Sequence, residues 1–205
     1  MRRTESSQNL YEVAEPQYGF FTTKQAIEAG YDESKHGYHV RAGNWIREHR
    51  GVYRLRNFPQ PERPDLMLWF LWSRGRDDVP QGIYSHQTAL SLYDLSDINP
   101  AKLHMTVPKH FRRSSAIPKV LVLHKADLDT GDSQDIVGVR ATTPLRTISD
   151  LISEGKTDRT ILKQAITEGF GRGLVTRRQI ERGDVPSEVR GEIDSLIEEG
   201  TGAKR

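Results

Sequence analysis

A chain of 205 residues, 35% hydrophobic and 28% charged, can build one large or two small folded domains and lies outside the composition of disordered chains. Its longest apolar run, Leu66 to Trp72, is too short to span a bilayer, no apolar leader follows Arg2 and Arg3, and cysteines are absent. These features set aside membrane insertion, secretion and thiolate chemistry, and a cytoplasmic location is expected. The net charge of +2 singles out no partner, but the cations are clustered. Residues 35–56 carry Lys35, Arg41, Arg47, Arg50, Arg54 and Arg56 against Glu48 alone, and residues 102–125 carry six cations and no acid. Such blocks can meet phosphates and release their counterions.

In chain order, the spacing predicts a first helix from Ser6 to Ala14, with Leu10, Tyr11 and Ala14 on one face and Pro16 closing it. Thr22 reads as a helix cap, with Gln25 at capping-box distance, and Ala26, Ile27 and Ala29 give the second helix its buried side before Gly30. A third helix is predicted over Glu33 to Arg41, although Gly37 in its interior costs about 1 kcal/mol relative to alanine. Trp45–His49 and Val52–Leu55 are β-prone runs joined at Arg50-Gly51, a tight hairpin. Three helices and a hairpin describe a winged helix-turn-helix over residues 1–57.

The prolines between Asn57 and Pro64 read as a linker, 58–64, ahead of a second domain over 65–205. There an apolar helix is predicted at 65–72 and another capped by Ser85, with Ala89, Leu90, Leu92 and Tyr93 inward. Strands are predicted at 103–107, 120–124 and 137–142. Thr143-Pro144 is a helix start ahead of Leu145, Ile148, Leu151 and Ile152. Asp158 and Ser187 cap further helices, and fraying is expected beyond Gly200. The expected class is therefore α+β: an N-terminal winged helix-turn-helix followed by a smaller-sheet α/β C-terminal domain.

In a helix-turn-helix the third helix enters the major groove, where Ser34, Lys35, Tyr38, His39 and Arg41 would reach base edges. Thr23 and Lys24 begin the second helix and suit phosphate contact, while the hairpin presents Arg47, Arg50 and Arg54 as a wing beside the backbone. Lys109, Arg112 and Arg113 form a further surface for DNA or a partner. Winged helices also serve as protein-interaction modules, and the basic excess weighs against that here. Phe20, Trp45 and Tyr53 alternate with polar residues, a core pattern rather than a base-stacking platform.

The segment Gly19-Phe20-Phe21-Thr22-Thr23 before an alanine-rich helix, then Arg50-Gly51-Val52-Tyr53-Arg54-Leu55, resembles the winged-helix domain of AbiEi-type antitoxins. Tyr84 to Leu90, Leu103 to Pro108 and Ala141 to Leu151 are similar to successive segments of that family's second domain, so that the resemblance spans about residues 19–152. It implies the antitoxin of a type IV toxin–antitoxin system, one that represses its own operon at inverted repeats in double-stranded DNA and counters a nucleotidyltransferase-like toxin without a stable complex. Gly37 and the histidines of the third helix depart from the family pattern, so no operator sequence carries over. A stand-alone winged-helix regulator is the alternative.

Enzyme chemistry finds little footing. Glu154-Gly155-Lys156 has the spacing of metal-dependent nucleases, but Gly155 ends a helix where that chemistry needs a strand. Ser85 and His86 are adjacent without an orienting third group, and His104, His110 and His124 lack metal-ligand spacing and read as surface histidines. Gly169 to Gly173 follows a helix instead of opening one, unlike a phosphate loop. A non-enzymatic protein without metal or cofactor is expected.

Overall fold

The computed structural model describes residues 2–202 apart from Ser115 and Asp184. By contacts the chain divides into two compact units: residues 1–82 with Val137–Val139, and residues 83–136 with 140–205. Among the described residues no helix is long and apolar enough to cross a membrane.

The first unit contains α1 (Arg2–Ala14), β1 (Phe20–Thr22), α2 (Thr23–Glu28), α3 (His36–Arg41), β2 (Trp45–His49), β3 (Val52–Leu55) and α4 (Pro64–Trp72). Leu10 and Ala14 bury the inner side of α1, whereas Tyr11 is 44% exposed and packs its ring near Phe58. Left-handed Tyr18 and Gly19 turn the chain into β1, and a side chain on Gly19 would collide with Phe58. The expected box caps α2: the Thr22 hydroxyl accepts from the Gln25 amide, and the Thr22 amide donates to Gln25 Oε1 at 2.8 Å. Ile27, assigned to the buried side of α2, is 44% exposed, because the helix has only six residues and Ala26 and Ala29 supply its contact.

The strands pair antiparallel in the order β1-β3-β2. Phe21 meets Trp45 edge-on at 4.9 Å, and Leu10, Ala14, Ala26, Ala29 and Tyr53 close the core around them. The helix α4 packs on all three strands, burying Leu66, Met67, Leu71 and Trp72. The unit therefore ends later than the connector read at 58–64. The prolines there lie inside the unit, and Pro64 opens α4 at the position where a missing amide costs nothing. All three tryptophans, Trp45, Trp69 and Trp72, lie in this unit.

The second unit holds β4 (Ile83–Tyr84), α5 (His86–Leu92), β5 (Leu103–Val107), β6 (Leu121–Lys125), β7 (Ser133–Ile136) and β8 (Val139–Thr142), the last beginning with a residue grouped in the first unit. The helices α6 (Pro144–Glu154), α7 (Arg159–Gly171), α8 (Arg177–Arg182) and α9 (Ser187–Gly202) follow. The sheet runs β6-β5-β4-β8-β7, with β4 antiparallel to β5 and parallel to β8, and β5 parallel to β6. Two strands, β4 and β7, add to the three read from the sequence: one is a residue pair and the other, Ser-Gln-Asp-Ile, is mostly polar. Ile148 and Leu151 of α6 and Val189, Ile193 and Leu196 of α9 are buried as their spacing predicts. Residues 203–205, within the tail expected to fray, lie outside the described residues, and α9 runs through Gly202.

Candidate nucleic-acid interface

The third helix is divided. A 3-10 turn over Glu33–Lys35 leads into α3, which begins at His36. Asp32 caps the turn by accepting from the Ser34 amide at 2.9 Å and the Ser34 hydroxyl at 2.8 Å, and these bonds hold its carboxyl below the ordinary range. Ser34 is exposed but bound locally. Lys35, Tyr38 and Arg41 are exposed, Tyr38 at 53%. His39 is half-buried and stacks on Trp45 at 4.6 Å, with the Asn44 amide 3.3 Å from Nδ1, which makes it an anchor for the segment.

His36 was not singled out by the sequence. It is 3% exposed and lies between Trp45 and Tyr53, ring centroids 5.2 and 5.8 Å away. Burial pushes its pKa down, against the opposing charge of Glu33. The aromatic spacing of Trp45 and Tyr53 signals a core, but nothing in sequence says that a histidine completes it.

On the wing, Arg47 and Arg50 are exposed. Arg54 is not: it is 8% exposed on the central strand, its Nε is 2.7 Å from Glu48 Oε1, and its guanidinium lies 5.8 Å from the Phe20 ring centroid. Register shifts between Arg47 and His49, so that Glu48 bulges out and its carboxylate reaches back to Arg54. This corrects the expectation of three wing arginines. Thr23 and Lys24 are also engaged within the unit: the Thr23 amide donates to the Gly51 carbonyl at 3.1 Å, and Lys24 Nζ donates to the Asp77 carbonyl at 3.2 Å. Among the described residues, Lys35, Arg41, Arg47 and Arg50 enter no ion pair, and these four charges with Tyr38 form the available polar surface.

In the second unit the basic block is partly neutralised. Lys109 pairs with Asp127 at 3.6 Å, Arg113 is half-buried, and Arg112 is exposed. The histidines read as surface residues are instead gathered by the sheet. His104 and His124 project from the same face of neighbouring β5 and β6, with Nδ1 and Nε2 3.0 Å apart, and His86 stacks on His124 at 3.5 Å. Burial pushes His86 and His124 down to about 4. His110 remains apart and exposed. Among the described residues no group of three histidines, aspartates or glutamates has the geometry to hold a metal ion.

Ser85 occupies the cap position of α5 but makes no cap bond. Its hydroxyl is fully buried, accepts from Thr106 at 2.8 Å and sits 2.9 Å from His86 Nδ1. Glu154 and Lys156 pair at 2.9 Å around Gly155, whose left-handed backbone ends α6 as read, and Gly169 to Gly173 closes α7.

Residues 8–56 match the family described as "Transcriptional regulator, AbiEi antitoxin". No curated protein matches the chain. Among solved structures, the crystal structure of the RV2827C protein from Mycobacterium tuberculosis is similar, with a TM-score of 0.62 at 14% identity, over 96% of this chain and 77% of that one. That likeness is one of fold. The family match covers α2, α3 and the wing, the segment that presents the four cations Lys35, Arg41, Arg47 and Arg50, so that residues 8–56 are similar to the transcriptional regulators of the AbiEi antitoxin family.

Proposed function

We propose that the chain is an antitoxin that represses its own operon: the first unit reads inverted repeats in duplex DNA, and the protein counters a nucleotidyltransferase-like toxin encoded beside it. The observation that carries the proposal is the exposed, unpaired set Lys35, Arg41, Arg47 and Arg50 around Tyr38, on a reading helix and wing within the family-matched segment. Lys35, Tyr38 and Arg41 would face base edges, and Arg47 and Arg50 the sugar–phosphate backbone. Ser34, His39, Thr23, Lys24 and Arg54 would support that surface from within. Arg112, with Lys109 and Arg113 beside it, is proposed to touch DNA flanking the site or a partner.

Mobility shift with the DNA upstream of the gene tests the reading, wild type beside a Lys35→Ala, Arg50→Ala variant. A specific shift that the variant loses is expected; no specific shift at moderate salt would sink it. Rescue of growth on co-expression with the neighbouring toxin separates an antitoxin from a stand-alone regulator.

A further inference from the structure

The wing tip is held by a residue outside the family-matched segment. The Gly51 carbonyl, in the hairpin turn beside Arg50, accepts two bonds: one from the Thr23 amide at the start of α2, the other from Arg74 Nη2 at 2.8 Å. The same guanidinium donates through Nη1 to the Leu71 carbonyl in the last turn of α4, at 2.7 Å, and meets Asp78 Oδ1 with Nε at 2.6 Å. Asp78 in turn accepts from the hydroxyl of Thr22, the cap of α2. One planar fork thus joins the end of α4, the wing turn and, through Asp78, the start of α2. Arginine alone offers that many donors in a rigid plane.

The arrangement is enclosed. The Arg74 and Asp78 side chains are each 14% exposed, and a side chain on Gly51 would come to 3.0 Å from Arg74 Nη2. Asp78 has a φ of 68°, in the left-handed region that favours glycine.

We infer that Arg74, oriented by Asp78, is a positioning residue for DNA reading: it holds the wing turn in register with the helix pair, so that Arg50 and the reading helix engage one duplex together. The inference rests on the DNA-reading function proposed above. Arg74 touches no base or phosphate in this scheme. It acts by removing freedom from the turn before DNA arrives, so that the Arg50 contact does not have to supply the ordering.

The test is a double-mutant cycle on the full chain, with affinity for the upstream DNA measured for wild type, Arg50→Ala, Arg74→Ala and the pair, and folding checked by circular dichroism. Each single change is expected to weaken binding about tenfold, and the double no more than the weaker single, because Arg50 loses its contribution once the turn is loose. Lys35→Ala, on the reading helix, is expected to multiply with Arg74→Ala. A general loss of stability would not separate Arg50 from Lys35 in this way. If Arg74→Ala does not fold, Asp78→Asn replaces it in the same cycle. Multiplying effects of Arg50 and Arg74 in a protein whose wild type binds specifically would overturn the inference alone; a wild type without specific binding would overturn both it and the DNA-reading function.

Discussion

His86 and His124, pushed down to about 4 from 6.5, stay neutral when folded at pH values where the unfolded chain takes up protons. His36 and His104 are shifted in the same direction, each chiefly by burial. Between pH 6.5 and about 4 the unfolded state therefore binds more protons, so stability is complete above that window and falls as pH drops through it. Glu154 opposes part of this by favouring the charged rings, while Lys156 and Arg146 add to it. The urea midpoint is expected to be lower at pH 5 than at pH 7.5, and His124→Gln to flatten the difference. A midpoint independent of pH would mean that the rings open to solvent instead of staying stacked. Nothing in the separate positions of His86, His104 and His124 announces their meeting, which follows from parallel pairing of β5 with β6 and from the left-handed turn at His86, φ 52°.

At the scale of elements, α3 is short, with six residues, and carries Gly37 in its interior. That glycine is exposed, and an added Cβ would touch only the flexible end of Arg41, at 3.4 Å. Gly37→Ala is expected to stabilise the protein by about 0.5–1 kcal/mol, seen as a higher urea midpoint. The elements that local chemistry specifies were legible in the sequence: the Thr22 box, the hairpin at Arg50-Gly51, the Thr143-Pro144 start of α6 and its end at Gly155. Those that depend on partners were not. The strand β1 exists because Phe20 to Thr22 pair with Val52 to Arg54, and β4 because Ile83 and Tyr84 find β5 and β8. Of the candidate site, Lys35, Tyr38, Arg41, Arg47 and Arg50 stand exposed as expected, but charge alone could not distinguish Arg54, whose fate is decided by a bulge at Glu48.

For the whole molecule, the family-matched segment ends at residue 56 while the compact unit continues to residue 82, through α4 and Arg74. A fragment of residues 1–82 is therefore expected to fold and to bind the upstream DNA, whereas one ending at Asn57 exposes the surface that Leu66, Met67, Leu71 and Trp72 cover and is expected to be unfolded or aggregated. Circular dichroism of the two fragments decides between a boundary at the prolines and one after Gly82. The distribution of tryptophan bears on how such unfolding is watched. Because every indole belongs to the unit that contains the winged helix, tryptophan emission reports on that unit, and the second unit holds only Tyr84 and Tyr93 of the seven tyrosines. Emission and far-ultraviolet ellipticity thus follow different portions of one polypeptide. If the units melt together the two curves superimpose; if one melts first, the optical signals separate, and their order names the unit that opened without any label being attached.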